Sequence, residues 1–138
     1  MAVFGSSEEL ERVMVALWGR IAADPQMSEQ LIRSKLVVQF RYRDPEGILT
    51  VDCSNGQGIT VIWGSGPNKP IVEMSMKADV AHDFWCGRVS VPVAILTGKI
   101  ASKGPTPKAL ALLPVIRPAF ALYPDVLREV GSKATVSG

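Results

Sequence analysis

The chain has 138 residues, of which 47% are hydrophobic and 20% are charged, and its formal net charge is +2. This length and composition predict a single globular domain over residues 1–138, with a sizeable core. So small a net charge gives no indication of nucleic-acid binding. The acidic, amphipathic start of the chain differs from a secretory signal, and no uncharged run reaches the roughly 20 residues of a membrane span, so the expected location is the cytoplasm.

The first third of the chain predicts two helices. Ser6 and Glu9 fit a capping box at the start of the first helix. Asp24-Pro25 ends that helix and begins the second, with the proline at the first helical position. Apolar residues then recur at helical spacing, which predicts a buried stripe on each helix. These residues are Leu10, Val13, Met14, Leu17, Trp18, Ile21, Met27, Leu31 and Ile32.

The middle of the chain predicts four strands, because apolar and polar residues alternate there. The turn after the first strand is expected to pair Tyr42 with Leu49, and the next turn is expected to pair Val51 with Ile59. Both pairings put the apolar side chains on one face of the sheet. The apolar positions are Val38, Phe40, Tyr42, Leu49, Val51, Cys53, Ile59, Val61, Trp63, Val72, Met74 and Met76.

The last part of the chain predicts a helix over 78–88, a helical turn over 92–96, a short fifth strand over 99–103 and a helix opened by Thr106-Pro107. Prolines then interrupt an apolar tail, and a proline inside a helix costs about 3 kcal/mol. The final helix is therefore predicted to run from Pro124 to Val130 and to be stopped at Gly131. The whole pattern predicts an α+β fold, with a five-stranded, mainly antiparallel sheet and helices packed on one face.

The Gly98-Lys99 pair does not form a phosphate-binding loop. That motif has four residues between its first glycine and the Gly-Lys pair, which puts Val93 at the glycine position, and it needs a serine or threonine at the position of Ile100. A structural zinc site is also excluded, because Cys53, Cys86 and a single histidine supply too few ligands. No metal or cofactor is expected.

The single histidine, His82, follows an alanine and precedes Asp83 on a predicted helix. A histidine beside a carboxylate can belong to a catalytic triad, but no Gly-x-Ser-x-Gly nucleophile motif accompanies it. We therefore expect His82 to face solvent, and a thioester hydrolase is the least favoured function. Lys99, Lys103 and Lys108 form a loose basic patch, which is either a solvated face or a surface that attracts anionic head groups.

The stretch "ADVAHDFWCGRVSVPVAILTGKIASKG" resembles the signature region of the sterol carrier protein type-two family. The resemblance extends over roughly residues 8–130 and departs from the family pattern at Pro105 and Pro107. It implies a five-stranded sheet with helices on one side, an apolar cavity between them, and a bend at Gly98 where a short helix becomes the fifth strand. The matching residues are Asp79, Phe84, Gly87, Ala94, Gly98, Lys99, Ile100, Lys103 and Gly104.

The resemblance implies binding, with or without transfer, of fatty acyl chains, acyl-coenzyme A, phospholipids or sterols, without catalysis. The expected partners are a lipid or acyl ligand, a membrane surface in transient contact and a second copy in a homodimer. Lys99 and Lys103 are expected to meet an anionic head group at the cavity mouth. The predicted lining is Phe40, Val51, Val61, Met74, Met76, Phe84, Leu96, Ile100, Leu110, Leu113, Ile116 and Phe120.

Two alternatives stay open at this stage. The apolar C-terminal residues can line a cavity or fill an ordinary core, since small-molecule sites and cores are both mostly apolar. If the core is filled, the domain is an interaction or dimerisation module without a ligand.

Overall fold

The structure is a computed structural model that describes residues 2–136. It confirms the α+β class and the five-stranded sheet. In chain order the elements are α1 (Ser7–Ala23), α2 (Pro25–Ser34), β1 (Val37–Arg43), β2 (Gly47–Asp52), β3 (Thr60–Trp63), β4 (Val72–Lys77), α3 (Ala78–Trp85), α4 (Val91–Leu96), β5 (Ile100–Lys103), α5 (Thr106–Leu110), α6 (Leu113–Ile116) and α7 (Ala119–Glu129).

The strands are ordered β3-β2-β1-β4-β5. β1 and β4 are parallel, and the other neighbouring pairs are antiparallel. The connection from β3 to β4 therefore has to cross β2 and β1. It does so on the face opposite the helices, where the Thr50 hydroxyl donates to the Gly64 carbonyl at 2.7 Å and the Asn68 amide donates to Asp52 at 2.8 Å. This crossing leaves the other face for the helices.

The predicted hairpin registers are wrong by two residues. Tyr42 faces Gly47 rather than Leu49, and the pairing of β2 with β3 is displaced by the same amount. In this register position 47 has to be a glycine, because a Cβ there would lie 2.3 Å from the Trp63 indole ring. The Trp63 ring also stacks on the Tyr42 ring, with the ring centroids 6.4 Å apart. Since a shift of two preserves the faces, the predicted apolar face is still correct.

The start of α1 carries half of the predicted capping box. The Ser6 hydroxyl accepts a hydrogen bond from the Glu9 backbone N–H at 3.1 Å. The Glu9 carboxylate, however, accepts from the Gly5 N–H at 2.8 Å and from the Ser132 hydroxyl at 2.6 Å. Glu9 therefore connects the start of α1 to the C-terminal segment.

The predicted start of the last helix is wrong. α7 begins at Ala119 and contains Pro124 in its interior. A buried stripe that includes Tyr123 and Val126 continues on both sides of the proline. The burial of that stripe offsets the hydrogen bond that Pro124 cannot donate. The helix predicted over 78–88 also ends early, at Trp85.

Within residues 2–136, no single helix is long and apolar enough to cross a membrane. The segments Thr106–Ile116 and Ala119–Glu129 together have the required length and composition, but they meet at an angle of 76°.

Candidate functional site

An apolar pocket of about 90 Å³ lies between the inner face of the sheet and the helices. Among the described residues, its lining includes no charged side chain. The strands contribute Val38, Phe40, Tyr42, Val51, Met74, Met76 and Ile100. The helices and loops contribute Trp18, Leu31, Ser34, Leu36, Cys53, Ala81, Phe84, Trp85, Val91, Ala109, Leu112, Leu113 and Ile116.

The pairing of the strands builds the pocket floor. Phe40 lies beside Met74, and Tyr42 lies beside Met76, in the parallel register of β1 and β4. Met76 in turn faces Ile100 across the antiparallel pair of β4 and β5. Because alternate side chains point to the same face, these residues form two adjacent rows across the sheet. The methionines add flexible side chains that can adapt to ligands of different shape.

Aromatic rings form one wall of the pocket. The Trp18 ring on α1 lies 5.7 Å from Phe40 and 5.8 Å, edge to face, from Trp85 on α3. Phe84 contacts Trp85 edge to face at 4.9 Å. The Trp18 indole N–H is buried and has no hydrogen-bond partner among the described residues. The wall therefore consists of packed aromatic rings and contains one unused hydrogen-bond donor.

The structure brings most of the predicted lining residues to this pocket. Phe40, Val51, Met74, Met76, Phe84, Ile100, Leu113 and Ile116 line it. Four others lie elsewhere: Val61, Leu96, Leu110 and Phe120. Contact of any of these residues with a ligand stays a prediction.

Each of the four displaced residues has its own environment. Leu96 is 84% exposed, so it faces away from the pocket. Phe120 contacts Phe84 edge to face at 5.3 Å and therefore lies one layer behind the lining. Val61 and Leu110 are half-buried and pack against the core.

Sequence reasoning missed several lining residues for which a signal existed. Val38 and Tyr42 alternate with Phe40 on the same strand, so the strand periodicity that found Phe40 applies to them as well. Trp18 and Trp85 belong to the apolar stripes of their helices, but periodicity does not tell which stripe residues border a pocket.

The two lysines predicted at the mouth are separated by the structure. Lys103 faces Glu73 in the β4–β5 register and lies with Arg41 on the open face of the sheet, opposite the pocket. Lys99 is exposed in the turn between α4 and β5. Contact of Lys99 with a head group stays a prediction, and the position of Lys103 is unsuitable for that role.

The predicted bend at Gly98 is present, with φ at +80°. Nothing lies within 4 Å of the place where its Cβ would be, so the need for glycine comes from the left-handed backbone alone. At Gly104 the need is steric as well, because a Cβ there would lie 2.1 Å from the Ile71 carbonyl oxygen.

The expectation that His82 faces solvent is wrong, since this residue is only 2% exposed. Its Nε2 lies 3.1 Å from the Thr135 carbonyl oxygen, and its Nδ1 lies 2.7 Å from the Tyr123 hydroxyl. A carbonyl can only accept, so Nε2 carries the proton and Nδ1 accepts from Tyr123. Burial lowers the pKa of His82, which keeps the imidazole neutral.

Cys86 lies beside this histidine but is not activated by it. The thiol sulfur is 3.6 Å from His82 Nε2. That nitrogen already carries a proton and cannot accept the thiol proton, and burial raises the pKa of Cys86. The arrangement therefore lacks the base that a thiol nucleophile requires.

Comparison with known proteins gives the family. Residues 17–117 match the model of the SCP-2 sterol transfer family. The chain belongs to this family. Domains of this family bind and transfer lipids. The resemblance noted in the sequence is confirmed. No curated protein sequence matches the chain significantly.

Solved structures of family members share the fold. The apo form of sterol carrier protein 2 from Yarrowia lipolytica is 17% identical, with a TM-score of 0.62, and the match covers 86% of this chain and 94% of that one. The sterol carrier protein domain 2 of Helicoverpa armigera is 24% identical (TM-score 0.60; 86% and 90% covered). Palmitated SCP2L2 from Aedes aegypti is 21% identical (TM-score 0.54; 75% and 94% covered).

Proposed function

We propose that the apolar pocket binds the hydrocarbon part of one lipid, without catalysis. The ligand is a fatty acyl chain, an acyl-coenzyme A, a phospholipid or a sterol. The observation that carries this proposal is the pocket itself, which lies between sheet and helices and whose lining has no charged side chain. The Aedes aegypti relative, whose structure is that of the palmitated protein, supports the same class of ligand.

The absence of charge from the described lining constrains the orientation of the ligand. Burying an ionised carboxylate or phosphate without a partner is very costly. An ionised head group therefore stays at the pocket opening while the chain enters. An uncharged oxygen, such as a hydroxyl, costs less to bury and can enter further. The donor proposed for it is the Trp18 indole N–H, which is buried without a partner among the described residues.

The size of the pocket requires its wall to move on loading. Its volume of about 90 Å³ is smaller than the roughly 150 Å³ of a protein cavity that accepts benzene. The most mobile part of the wall is expected at α5 and α6, which span five and four residues and so have few internal hydrogen bonds. A long chain is accommodated when these two helices shift outward.

Burial of methylene groups supplies the affinity. Each one contributes about 0.8 kcal/mol, so roughly ten contribute about 8 kcal/mol before association costs are deducted. A net contribution of about 8 kcal/mol corresponds to micromolar binding. A chain therefore has to bury more than about ten methylene groups to bind that tightly once the association costs are met. A cytoplasmic location and a homodimer are further predictions that rest on the sequence.

Intrinsic fluorescence tests the proposal, because Trp18 and Trp85 line the pocket. We expect a brominated fatty acid to quench both indoles, since bromine quenches only at short range. The Trp63→Phe variant removes the one tryptophan outside the lining and should retain the quenching. Ile116→Asp should abolish it, because it places a carboxylate in the lining. The matched control is Ile71→Asp, at an isoleucine that is 42% exposed, which should quench like the wild type.

Two results would count against the proposal. One is the absence of saturable quenching in the wild type, which would favour a filled core and the interaction-module alternative. The other is equal quenching in the Ile116→Asp variant, which would place the ligand outside this pocket.

A further inference from the structure

The short helix α4 presents apolar side chains to solvent. Within residues 2–136, the large hydrophobic side chains that are exposed are Ile71, Val93 and Leu96, at 42%, 55% and 84%. Two of them lie three residues apart on α4 and therefore project from one side of the helix. Leu96 in particular has more exposed apolar area than any other large hydrophobic residue described here.

The same segment borders the lipid pocket from the inside. Val91 at the start of α4 and Ile100 at the start of β5 both line the pocket, and Ala94 is buried between them. The exposed side chains and the proposed ligand space therefore lie on opposite sides of the same short helix. An apolar surface at this place has no role in holding the core together.

The segment of the sequence that contains these exposed residues is basic. The stretch from residue 84 to residue 124 contains five cationic residues and no aspartate or glutamate, while the rest of the chain contains ten cationic and thirteen acidic residues. Arg88 pairs with Asp83 at 2.9 Å. The other four make no ion pair with the described residues, and all four are exposed: Lys99, Lys103, Lys108 and Arg117.

Lys99 is the cation nearest to the exposed apolar residues. It follows Leu96 by three residues, and its backbone N–H donates to the Ala94 carbonyl at 2.9 Å, which holds it against the end of α4. We define the α4 patch as Val93, Leu96 and Lys99. It combines an apolar projection with a positive charge that no carboxylate of the described chain neutralises.

We propose that the α4 patch docks the protein on an anionic phospholipid bilayer. Val93 and Leu96 enter the boundary between head groups and acyl chains, and Lys99 contacts the anionic head groups. Negatively charged membrane surfaces attract each nearby lysine or arginine by about 1 kcal/mol, and exposed apolar side chains add a contribution from burial. A second copy of the chain fits this surface less well, because two such basic segments repel each other.

This proposal goes beyond the proposed function, since it concerns a surface outside the pocket and does not require a bound ligand. It gives α4 two faces, an inner one toward the lipid site and an outer one toward the membrane. A lipid that leaves the bilayer would then enter the protein beside the docked surface.

Sedimentation with vesicles tests the proposal. One set of vesicles is phosphatidylcholine alone, and in the other about a third of the lipid is phosphatidylserine. We expect the wild-type protein to bind the anionic vesicles at least about tenfold more tightly, and to be released at high ionic strength. Leu96→Asp and Lys99→Glu should each weaken this binding severalfold. Both positions are exposed, so the variants should fold like the wild type, as circular dichroism would verify.

The matched control is Ile71→Asp, which changes the third exposed hydrophobic residue. Ile71 lies beside Gly104, which follows the last residue of β5. α4 precedes the other end of that strand. This variant should bind vesicles like the wild type. Uptake of a fluorescent fatty acid from solution should be unchanged in Leu96→Asp, which separates docking from pocket binding.

Several outcomes would overturn the proposal. Equal binding to both kinds of vesicle would exclude the role of charge. Undiminished binding of Leu96→Asp, or an equal loss in Ile71→Asp, would exclude the α4 patch as the docking site. A wild-type dimer that Leu96→Asp dissociates in analytical ultracentrifugation would show that a second copy covers this surface instead.

Discussion

The Tyr123 hydroxyl donates a hydrogen bond of 2.7 Å to Nδ1 of His82, and it thereby joins α7 to α3 inside the core. The other ring nitrogen of His82, Nε2, donates a hydrogen bond of 3.1 Å to the Thr135 carbonyl oxygen. Three parts of the chain that are distant in sequence are therefore connected by one imidazole. This histidine supports the helices above the apolar pocket and has a structural role.

Tyr123→Phe should destabilise the fold. It removes the donor and leaves Nδ1 of His82 buried without a partner, which costs about 1–3 kcal/mol in the free energy of unfolding. Tyr42→Phe is the matched control, because Tyr42 is also buried but its hydroxyl makes no hydrogen bond within residues 2–136. Urea denaturation should show a clear loss for the first variant and little change for the second. Equal effects would contradict the structural role of the bond.

The stability of the protein should fall as the pH is lowered from about 7.5 to about 5.5. The pKa of His82 is lowered in the folded state, chiefly by burial and also by Arg88, although the carboxylates of Asp79 and Asp83 act in the opposite direction. The unfolded chain therefore binds a proton near pH 6.5 that the folded chain does not. The stabilisation is complete above that pH, decreases as the pH falls below it, and levels off below the folded pKa.

This pH dependence can be assigned to one residue, because the chain contains a single histidine. Urea denaturation at a series of pH values should show the decline in the wild type. The decline should be absent from His82→Gln, whatever the stability of that variant. If the free energy of unfolding of the wild type did not change over this pH range, the pKa of His82 would be the same in the folded and unfolded chains, which would contradict the prediction.

Ala81→Leu should reduce lipid uptake without loss of stability. Ala81 is buried on α3 and lines the pocket, so a larger apolar side chain fills space that the ligand would occupy. Ala121→Leu, at an exposed position of α7, is the control with the same chemical change. Titration with a fluorescent fatty acid should show weaker binding only for Ala81→Leu. Unchanged binding in this variant would place the acyl chain elsewhere.

Lipid binding should slow amide hydrogen exchange in α5 and α6. These short helices are the part of the wall that is expected to open, and a bound chain fills the space on their inner side. Amide exchange in α1, whose buried stripe packs in the hydrophobic core, should be the same with and without ligand. Mass spectrometry of peptic peptides can measure both regions in one experiment. Protection confined to α1 would contradict the proposed route of opening.

The sequence predicts the sheet face well because strand periodicity depends only on alternation. The alternation places Phe40, Val51 and Met74 on the inner face correctly, even though the predicted hairpin registers differ from the observed ones by two residues. Alternation does not fix the register to better than two residues, and the close approach of Trp63 to Gly47, which accompanies the observed register, leaves no periodic signal. The same limit explains why Trp18 and Trp85 were not recognised as pocket residues.

The sequence predicts the C-terminal half less well because burial there outweighs local preference. Pro124 marks a helix boundary by its chemistry, but the buried stripe of α7 continues through it. His82 was expected at the surface because a polar residue next to Asp83 usually lies there, and only the fold brings Tyr123 to its ring. The apolar character of Leu96 and Phe120 favours a place in the lining, but it does not fix the direction in which a side chain points from its helix.

We claim that the pocket holds a lipid, and native mass spectrometry of freshly purified protein is the measurement that decides this. Solvent extraction of the same sample then identifies what is released. We predict a stoichiometric adduct that is recovered as a fatty acid, an acyl-coenzyme A, a phospholipid or a sterol, and that is absent from Ile116→Asp. A bare mass for the wild type, with no uptake when a fatty acid is added, would contradict the claim.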